Sequence, residues 1–328
     1  MGPYDRQVAA TREGEDEPRS AGGESLVTVL VALAANALIA VAKSFAAAIT
    51  GSASLVAEAA HSWADTGNEI FLLIAERRSA KPRDAEHPLG YGREAYVWSM
   101  FAAFGLFAVG AAVSVLHGIQ QLAAPEDEAT SYLVGYLVIA FAFVLEGVSF
   151  SQALRQTRGA AAQVGLRPLR YVERTSDPTL RAVFVEDSAA LIGLAIAAAG
   201  MALHQITGNA VYDAVGSILV GVLLAVVAIF LIRRNRDFLT GEVVSPSRRR
   251  EVLQMLLDEP EVDSVSVLHL EYVGPGRVFL VASVDLVGDA VEHTVAERHQ
   301  QIEDRLERGP GIARALLTMS APGSTALV

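Results

Sequence analysis

The chain has 328 residues, of which 52% are hydrophobic, and its formal net charge is −11. This composition is too apolar for an ordinary soluble domain, and the negative charge leaves no basic surface suited to nucleic acid. Cysteine is absent, which excludes disulfides, thiolate metal sites and cysteine nucleophiles. The apolar residues crowd into residues 25–232, so the composition predicts a membrane-embedded region with polar ends.

The N-terminal segment is polar and mixed in charge over residues 1–24. It lacks the apolar core and cleavage site of a signal peptide, and Arg6 stands where a myristoylation motif has Ser or Thr. We therefore expect residues 1–24 to form a disordered cytosolic tail.

Six apolar runs follow, each close to the roughly 20 residues that a helix needs to cross a bilayer. They cover residues 25–48, 54–76, 94–120, 131–154, 180–204 and 210–232. The second and fifth runs carry acidic residues, and we expect hydropathy alone to miss them. Residues 25–235 are thus predicted to form an α-helical integral membrane bundle of six transmembrane helices.

The basic residues predict how this bundle is oriented. The links after the second, fourth and sixth runs contain many Lys and Arg, whereas the other three links contain none. The basic residues are Arg77, Arg78, Lys81, Arg83, Arg155, Arg158, Arg167, Arg170, Arg174, Arg233, Arg234 and Arg236. Because cytoplasmic loops carry the excess of Lys and Arg, both termini are predicted to be cytosolic.

The second run carries a polar stripe in apolar surroundings. Glu58, His61, Asp65 and Asn68 are spaced to share one face of a helix, and His61 lies one turn from Asp65. A charged residue at the centre of a membrane helix costs about 2.5–3.5 kcal/mol on an insertion scale. A compensating partner is therefore expected, and a divalent cation between His61 and Asp65 is the simplest candidate.

The fifth run begins with the acidic pair Glu186 and Asp187. In one interpretation both carboxylates are solvated at the cytosolic interface. In the other, Asp187 faces His61 and Asp65, because the fifth run enters from the cytosolic side. One imidazole and two carboxylates form a zinc ligand set, with water or Glu186 in the fourth position. Oxygen-rich ligation also suits Mn²⁺ or Fe²⁺.

Metal ligands must lose their protons before they bind a cation, so metal binding competes with protons. His61 would release a proton as metal arrives, which gives a physical basis for exchange of metal for protons. Lys43 and Glu146 are further charged residues within the runs, and each has two interpretations. Lys43 either reaches an interface or pairs with an acidic neighbour, and Glu146 is either a functional residue or a structural partner.

The polar C-terminal part, residues 243–328, is predicted to be a separate domain. Ser245 and Pro246 begin a helix, and two strand patterns flank the turn Gly274-Pro275-Gly276. An amphipathic helix and a last strand complete the order α-β-β-α-β, which is typical of a small α+β domain. Since such a domain has few residues for a core, we expect it to bury surface against a partner.

Several stretches together resemble the cation diffusion facilitator family of zinc transporters. They are TGSASLVAEAAHSWAD with His61 and Asp65, the loop DAEHPLGYGREA with Asp84 and His87, YDAVGSILVG at the sixth run, and the tail. The resemblance implies six transmembrane helices, a cytosolic ferredoxin-like dimerisation domain and a homodimer. The segment EDSAALIG is similar to the branch that contains the mitochondrial zinc exporters.

The sequence departs from the family pattern at the proposed site. The family's second ligand pair, in the fifth helix, falls on Ala190 and Leu194. The resemblance therefore carries over only His61 and Asp65, and Asp187 is our substitute.

The family's second metal site, in the loop, has a third ligand where this chain has Tyr91. Asp84 and His87 therefore predict a weak or lost loop site. The resemblance also implies that Arg93 pairs with an acidic residue beyond the sixth helix, and Asp237 or Glu242 could serve. In the tail, His269 matches one of the family's His ligands, and we predict no strong metal site there.

These observations predict a divalent-cation efflux transporter, with zinc exchanged for protons in a bacterial inner membrane. The cation is the transported substrate, and neither a cofactor nor an enzymatic activity is expected. Three alternatives stay open. They are a manganese or iron(II) transporter of the same fold, a non-transporting scaffold or sensor, and a membrane metalloenzyme, which the lack of a nucleophile or oxyanion motif disfavours.

Overall fold

The computed structural model describes residues 26–123, 132–309, 311–321 and 323–327, and the predicted tail at residues 1–24 lies outside them. Seven helices precede the C-terminal domain within these ranges. They are α1 Leu26–Thr50, α2 Ala53–Ser79, α3 Glu94–Ala123, α4 Tyr132–Gln163, α5 Pro168–Arg174, α6 Pro178–Thr207 and α7 Val211–Leu239. The α3 helix contains a π-helical segment at Leu106–Ala111, and the short α5 was not predicted.

The six long helices coincide with the six apolar runs, and four of them are long and apolar enough to cross a membrane. These four are α3, α4, α6 and α7. As expected, α2 does not meet this test, whereas α6 was expected to fail and does not. The reason is that the 16 residues after Asp187 carry no charged side chain. In α1 the apolar segment is Asn36–Thr50, which is shorter than a membrane span requires.

Local sequence signals set where several helices begin and end. At the start of α2, the Ser52 hydroxyl accepts a hydrogen bond from the Leu55 amide, and at the start of α6 Asp177 accepts from the amides of Thr179 and Leu180. Side-chain caps of this kind satisfy amides that have no partner within the helix. The α6 helix ends at Gly208, whose φ of 69° suits glycine.

The α2 helix lies inside the bundle, in contact with α1, α3, α6 and α7. Two glycines allow this close packing, because a Cβ at Gly200 or Gly216 would lie 2.9 or 2.5 Å from Ser54 Oγ. Ser54 Oγ donates to the Asp213 carbonyl oxygen at 2.8 Å, which ties the start of α2 to α7. The polar stripe is thereby enclosed by neighbouring helices.

The C-terminal domain has the predicted order of elements. It consists of α8 Pro246–Leu257, β1 Val262–Gly274, β2 Arg277–Leu286, α9 Glu292–Arg308 and β3 Ile312–Met319. The strands form a sheet in the order β1-β2-β3, with β1 and β2 antiparallel and β2 and β3 parallel. The domain has its own hydrophobic core, formed by residues such as Val252, Leu256, Val265, Leu280 and Ile302.

The β1–β2 hairpin packs against the loop that precedes α3. Gly92 and Gly274 approach so closely that a Cβ on Gly92 would lie 2.8 Å from Gly274 Cα. Beside them, Arg93 forms an ion pair with Glu271 of β1. The predicted pairing of Arg93 with an acidic residue beyond the sixth run is confirmed, but the candidates Asp237 and Glu242 were wrong. The hairpin brings Glu271 to Arg93 instead, and Asp237 and Glu242 pair with Arg234.

An aromatic cluster joins the end of α7 to the same hairpin. Phe238 is buried and stacks on Tyr96, with ring centroids 5.1 Å apart, and meets Tyr272 of β1 edge-on at 5.4 Å. The guanidinium groups of Arg181 and Arg234 lie 5.1 and 5.4 Å from its ring centroid. Stacking and cation–π contacts of this kind are individually small, and here they converge on one side chain between the bundle and the tail.

We expect Gly92→Ala to lower the midpoint of thermal unfolding of the purified chain in detergent. The added Cβ would lie 2.5 Å from the Val273 carbonyl oxygen, and relieving such overpacking costs about 1–3 kcal/mol. Gly147→Ala is the matched control, because a Cβ at Gly147 meets nothing within 4 Å. Equal midpoints for the two variants would contradict the close approach.

Candidate metal-binding site

The polar face of α2 forms the centre of the candidate site. Glu58, His61 and Asn68 are buried, and Asp65 is partly buried at 21% exposure. They are surrounded by the apolar side chains of α3, α6 and α7 that pack around Ala57 and Ala64 of α2. The helix is rich in alanine at the positions between the polar residues, so neighbouring helices pack closely around the stripe.

His61 and Asp65 lie together, as predicted. His61 Nε2 is 3.3 Å from Asp65 Oδ2, within ion-pair distance although not aligned as a hydrogen bond. Within the described ranges, neither ring nitrogen of His61 has a hydrogen-bond partner, and neither does Asp65 Oδ1. Buried polar atoms are normally paired, so this part of α2 has unused capacity to bind a ligand.

Glu186 of α6 faces the same stripe. It is buried and accepts a hydrogen bond from Asn68 Nδ2 of α2, so the interpretation that both acids are solvated is wrong for Glu186. Its second oxygen, Oε1, has no hydrogen-bond partner in the described part of the chain. The buried side of α6 thus presents a carboxylate to α2.

Asp187 is partly buried and takes a different direction. It accepts a hydrogen bond of 2.7 Å from Ser149 Oγ of α4. Its carboxylate is close enough to Asp65 and Glu146 for their charges to interact. The hydrogen bond of Asp187 therefore ties this side chain to α4.

The predicted ligands are neighbours that do not converge on one point. Among residues 26–123, 132–309, 311–321 and 323–327, no group of three or more His, Asp or Glu side chains is arranged to hold a metal ion. Asp65 contacts His61, Glu186 contacts Asn68 and Asp187 contacts Ser149.

Two polar pairs between α1 and α2 were not predicted as part of the site. Asn36 Nδ2 donates to Glu69 Oε1 at 2.6 Å, and Lys43 Nζ lies 3.1 Å from Glu58 Oε2. Of the two interpretations of Lys43, the structure shows the pairing with an acidic neighbour. The signal for both pairs was present in the sequence as polar residues in an apolar run, but the partners become apparent only when α1 and α2 pack together.

The two positions that depart from the family pattern are packing positions. Ala190 and Leu194 of α6 are both buried, and Leu194 lies in a hydrophobic cluster with residues of α1, α2 and α4. Between them along the helix, Gly193 leaves room for Glu58, since a Cβ there would lie 2.3 Å from Glu58 Oε1. The acidic groups of α6 therefore come from Glu186 and Asp187 alone.

The loop residues Asp84 and His87 are held in a hydrogen-bonded turn. Asp84 Oδ1 accepts from the amides of Glu86 and His87, and Asp84 Oδ2 accepts from the Tyr91 hydroxyl at 2.7 Å. The Tyr91 bond lowers the pKa of Asp84, and the same bond raises the pKa of Tyr91 to about 12. The His87 ring stacks on Tyr91. Asp84 and His87 are 49% and 44% exposed, so both are open to solvent. In the tail, His269 is exposed on β1.

Comparisons with known proteins match the helical region and part of the tail. Residues 29–240 match the model of the cation efflux transmembrane domain. The chain is 38% identical over 244 residues to metal tolerance protein C4 of Arabidopsis thaliana, covering 74% of this chain and 53% of the relative. It is 35% identical over 270 residues to the mitochondrial proton-coupled zinc antiporter SLC30A9 of Mus musculus, covering 82% and 47%.

A shorter match links the chain to the magnetosome protein MamM of Magnetospirillum gryphiswaldense, at 33% identity over 104 residues and 32% of each chain. The chain spans about half the length of the first two relatives. The domain match covers most of the helical region, from α1 to the end of α7. Together with the four helices long and apolar enough to cross a membrane, these matches show that the chain belongs to the cation efflux family of membrane transporters.

Proposed function

We propose that this chain exports a divalent cation, zinc in the first place, in exchange for protons. The observation that carries the proposal is His61, which is buried, has no hydrogen-bond partner for Nδ1 in the described part of the chain, and has Nε2 3.3 Å from Asp65 Oδ2. A buried polar group without a partner costs about 1–3 kcal/mol. A cation bound between imidazole and carboxylate would remove that cost.

The proposed ligands are His61, Asp65 and Asp187, with Glu186 as the fourth. Glu186 accepts a hydrogen bond from Asn68, one turn beyond Asp65 on α2, so acidic groups of α2 and α6 share the boundary between the two helices. An arriving cation would draw Asp187 away from Ser149 and bring the set together. One nitrogen and several carboxylate oxygens are compatible with zinc, and transporters place such sites between helices near the midplane.

The exchange for protons follows from the ligands themselves. Imidazole and carboxylic acid groups must be deprotonated to bind a metal, so protons from the outer side would displace the cation and be carried inward. The name of the SLC30A9 relative, a proton-coupled zinc antiporter, supports both the substrate and the counter-ion. That relative is a longer protein, and the transfer to this chain is part of the proposal.

The proposed architecture has three parts. Residues 1–24 form a cytosolic tail, residues 25–235 form six transmembrane helices, and residues 243–328 form a ferredoxin-like domain that holds a homodimer together. The one-sided distribution of Lys and Arg supports cytosolic termini. The separate core and the α-β-β-α-β order support the domain. We place the protein in a bacterial inner membrane on account of its compact, Ala- and Arg-rich sequence.

Two alternatives each have a specific observation in their favour. The candidate ligands contain one imidazole and three carboxylates, an oxygen-rich set that would also suit manganese or iron(II). A non-transporting scaffold or sensor would fit the absence, in the described ranges, of an assembled group of three ligands. The experiment below separates the three.

The proposal predicts pH-gradient-driven uptake of one divalent metal into proteoliposomes, compared for zinc, manganese and iron(II). We expect His61→Ala and Asp187→Asn each to lower the flux at least tenfold, because each removes a proposed ligand; even outer-sphere partners cost about 10–100-fold. His117→Ala is the matched control, since His117 also lies in a long helix, α3, but outside the α2 stripe.

Wild-type flux and pH dependence in His61→Ala would contradict the proposed site. If Asp187→Asn kept its flux while His61→Ala lost it, the carboxylate ligand would be Glu186 or Glu146 instead of Asp187. If folded protein moved none of the three metals, the scaffold or sensor would be favoured.

For the loop, we propose that Asp84 and His87 form at most a weak metal site, because Tyr91 occupies one oxygen of Asp84. We expect Tyr91→His to add a zinc-binding site to the full-length chain, seen as one additional equivalent in isothermal titration. The new imidazole frees Asp84 Oδ2 and supplies a third ligand. Tyr91→Phe is the control, since it frees the same oxygen without adding a ligand. A wild-type chain that binds as many equivalents of zinc as Tyr91→His would contradict the loss of this site.

A further inference from the structure

Lys43 and Glu58 form an ion pair that is enclosed by the bundle. Lys43 Nζ lies 3.1 Å from Glu58 Oε2, and the two side chains are 1% and 0% exposed. The chain has only two lysines, and the other, Lys81, lies in the basic link after α2. A lone charge in such surroundings is costly, so each member of the pair requires the other or a substitute of the same sign.

Glu58 has a second oxygen that the pair does not use. Glu58 Oε1 has no hydrogen-bond partner among the described residues. It projects toward Gly193 of α6, where a Cβ would lie 2.3 Å away. The absence of a side chain at Gly193 thus admits a free carboxylate oxygen to the boundary between α2 and α6, the two helices that carry His61 and Asp187.

Glu58 also lies beside the proposed site along its own helix. It precedes His61 by three residues, so the two side chains are neighbours on one helical face. Any cation bound at His61 would therefore be next to a carboxylate that already holds a cation, the ammonium of Lys43.

We propose that Glu58 is a further ligand of the transported cation and that Lys43 is a tethered cation that occupies this carboxylate while the site is empty. This inference rests on the proposed function. As the metal binds, Glu58 turns from the ammonium toward the metal, and Lys43 turns toward Glu146 of α4, a helix that packs against α1. When the metal leaves, the Lys43 ammonium pairs with Glu58 again.

Competition for one carboxylate has a consequence for transport. The ammonium offsets part of the attraction between Glu58 and the metal, so the metal is held less tightly and is released more readily. Without Lys43 the same carboxylate would hold the metal more tightly and turn over more slowly. The role of Lys43 is thus to position Glu58 and to limit affinity, while Glu58 contacts the metal.

The test is a double-mutant cycle for Zn²⁺ binding to the purified full-length chain at one fixed pH. We expect Glu58→Gln to weaken Zn²⁺ binding at least tenfold, and Lys43→Met to tighten it about tenfold while slowing Zn²⁺ flux, effects in the range of supporting groups around metal sites. The double variant should match Glu58→Gln within threefold, because Lys43 acts only through Glu58. Ser151→Ala, which removes a hydroxyl bonded to the Gly147 carbonyl oxygen of its own helix, is the control.

Two outcomes would overturn the inference. One is wild-type Zn²⁺ affinity in Glu58→Gln. The other is a double variant that binds more tightly than Glu58→Gln, since Lys43 would then act by repelling the metal directly. Should Lys43→Met fail to fold because it leaves a buried charge unpaired, the comparison of Glu58→Gln with the double variant still decides. A wild-type chain that neither binds nor transports Zn²⁺ would instead overturn the proposed function, and this inference with it.

Discussion

The burial of the α2 polar face inside an apolar bundle is the constraint on which the rest of the structure depends. Each polar side chain of that face must find a partner, because water is excluded and an unpaired buried group is costly. The neighbouring helices supply these partners one at a time. Asn36 and Lys43 come from α1, and Glu186 comes from α6.

The polar face is nevertheless incompletely satisfied, and this is what gives it a chemical capacity. Among the described residues, the buried atoms without a hydrogen-bond partner include atoms on successive turns of α2, from Glu58 through His61 and Asp65 to Asn68. In a purely structural hydrogen-bond network, these atoms would be expected to have hydrogen-bond partners. In a member of the cation efflux family, a helix face with such atoms supports the proposal of a cation site on α2.

The same helices connect the candidate site to the C-terminal domain. The α6 helix carries Glu186 and, five residues earlier, the buried Arg181, which donates to the Thr175 carbonyl oxygen and to Asn235 Oδ1. Arg181 also faces the Phe238 ring, which in turn contacts Tyr272 of the hairpin. Packed interiors transmit displacements because they contain few voids, so the acidic end of α6 and the hairpin are mechanically joined.

The sequence by itself determined the number and approximate bounds of the long helices, the order of elements in the tail and the pairing of His61 with Asp65. These are local properties, since they depend on the length of apolar runs and on the 3.6-residue period of a helix. Only the tertiary structure decided which helices face each other. In the structure, Lys43 pairs with Glu58 and Arg93 pairs with Glu271. Asp187 accepts a hydrogen bond from Ser149, and Glu186 accepts one from Asn68. Such contacts join residues far apart in the chain, and no periodicity encodes them, because they depend on how whole helices pack at small residues such as Gly193.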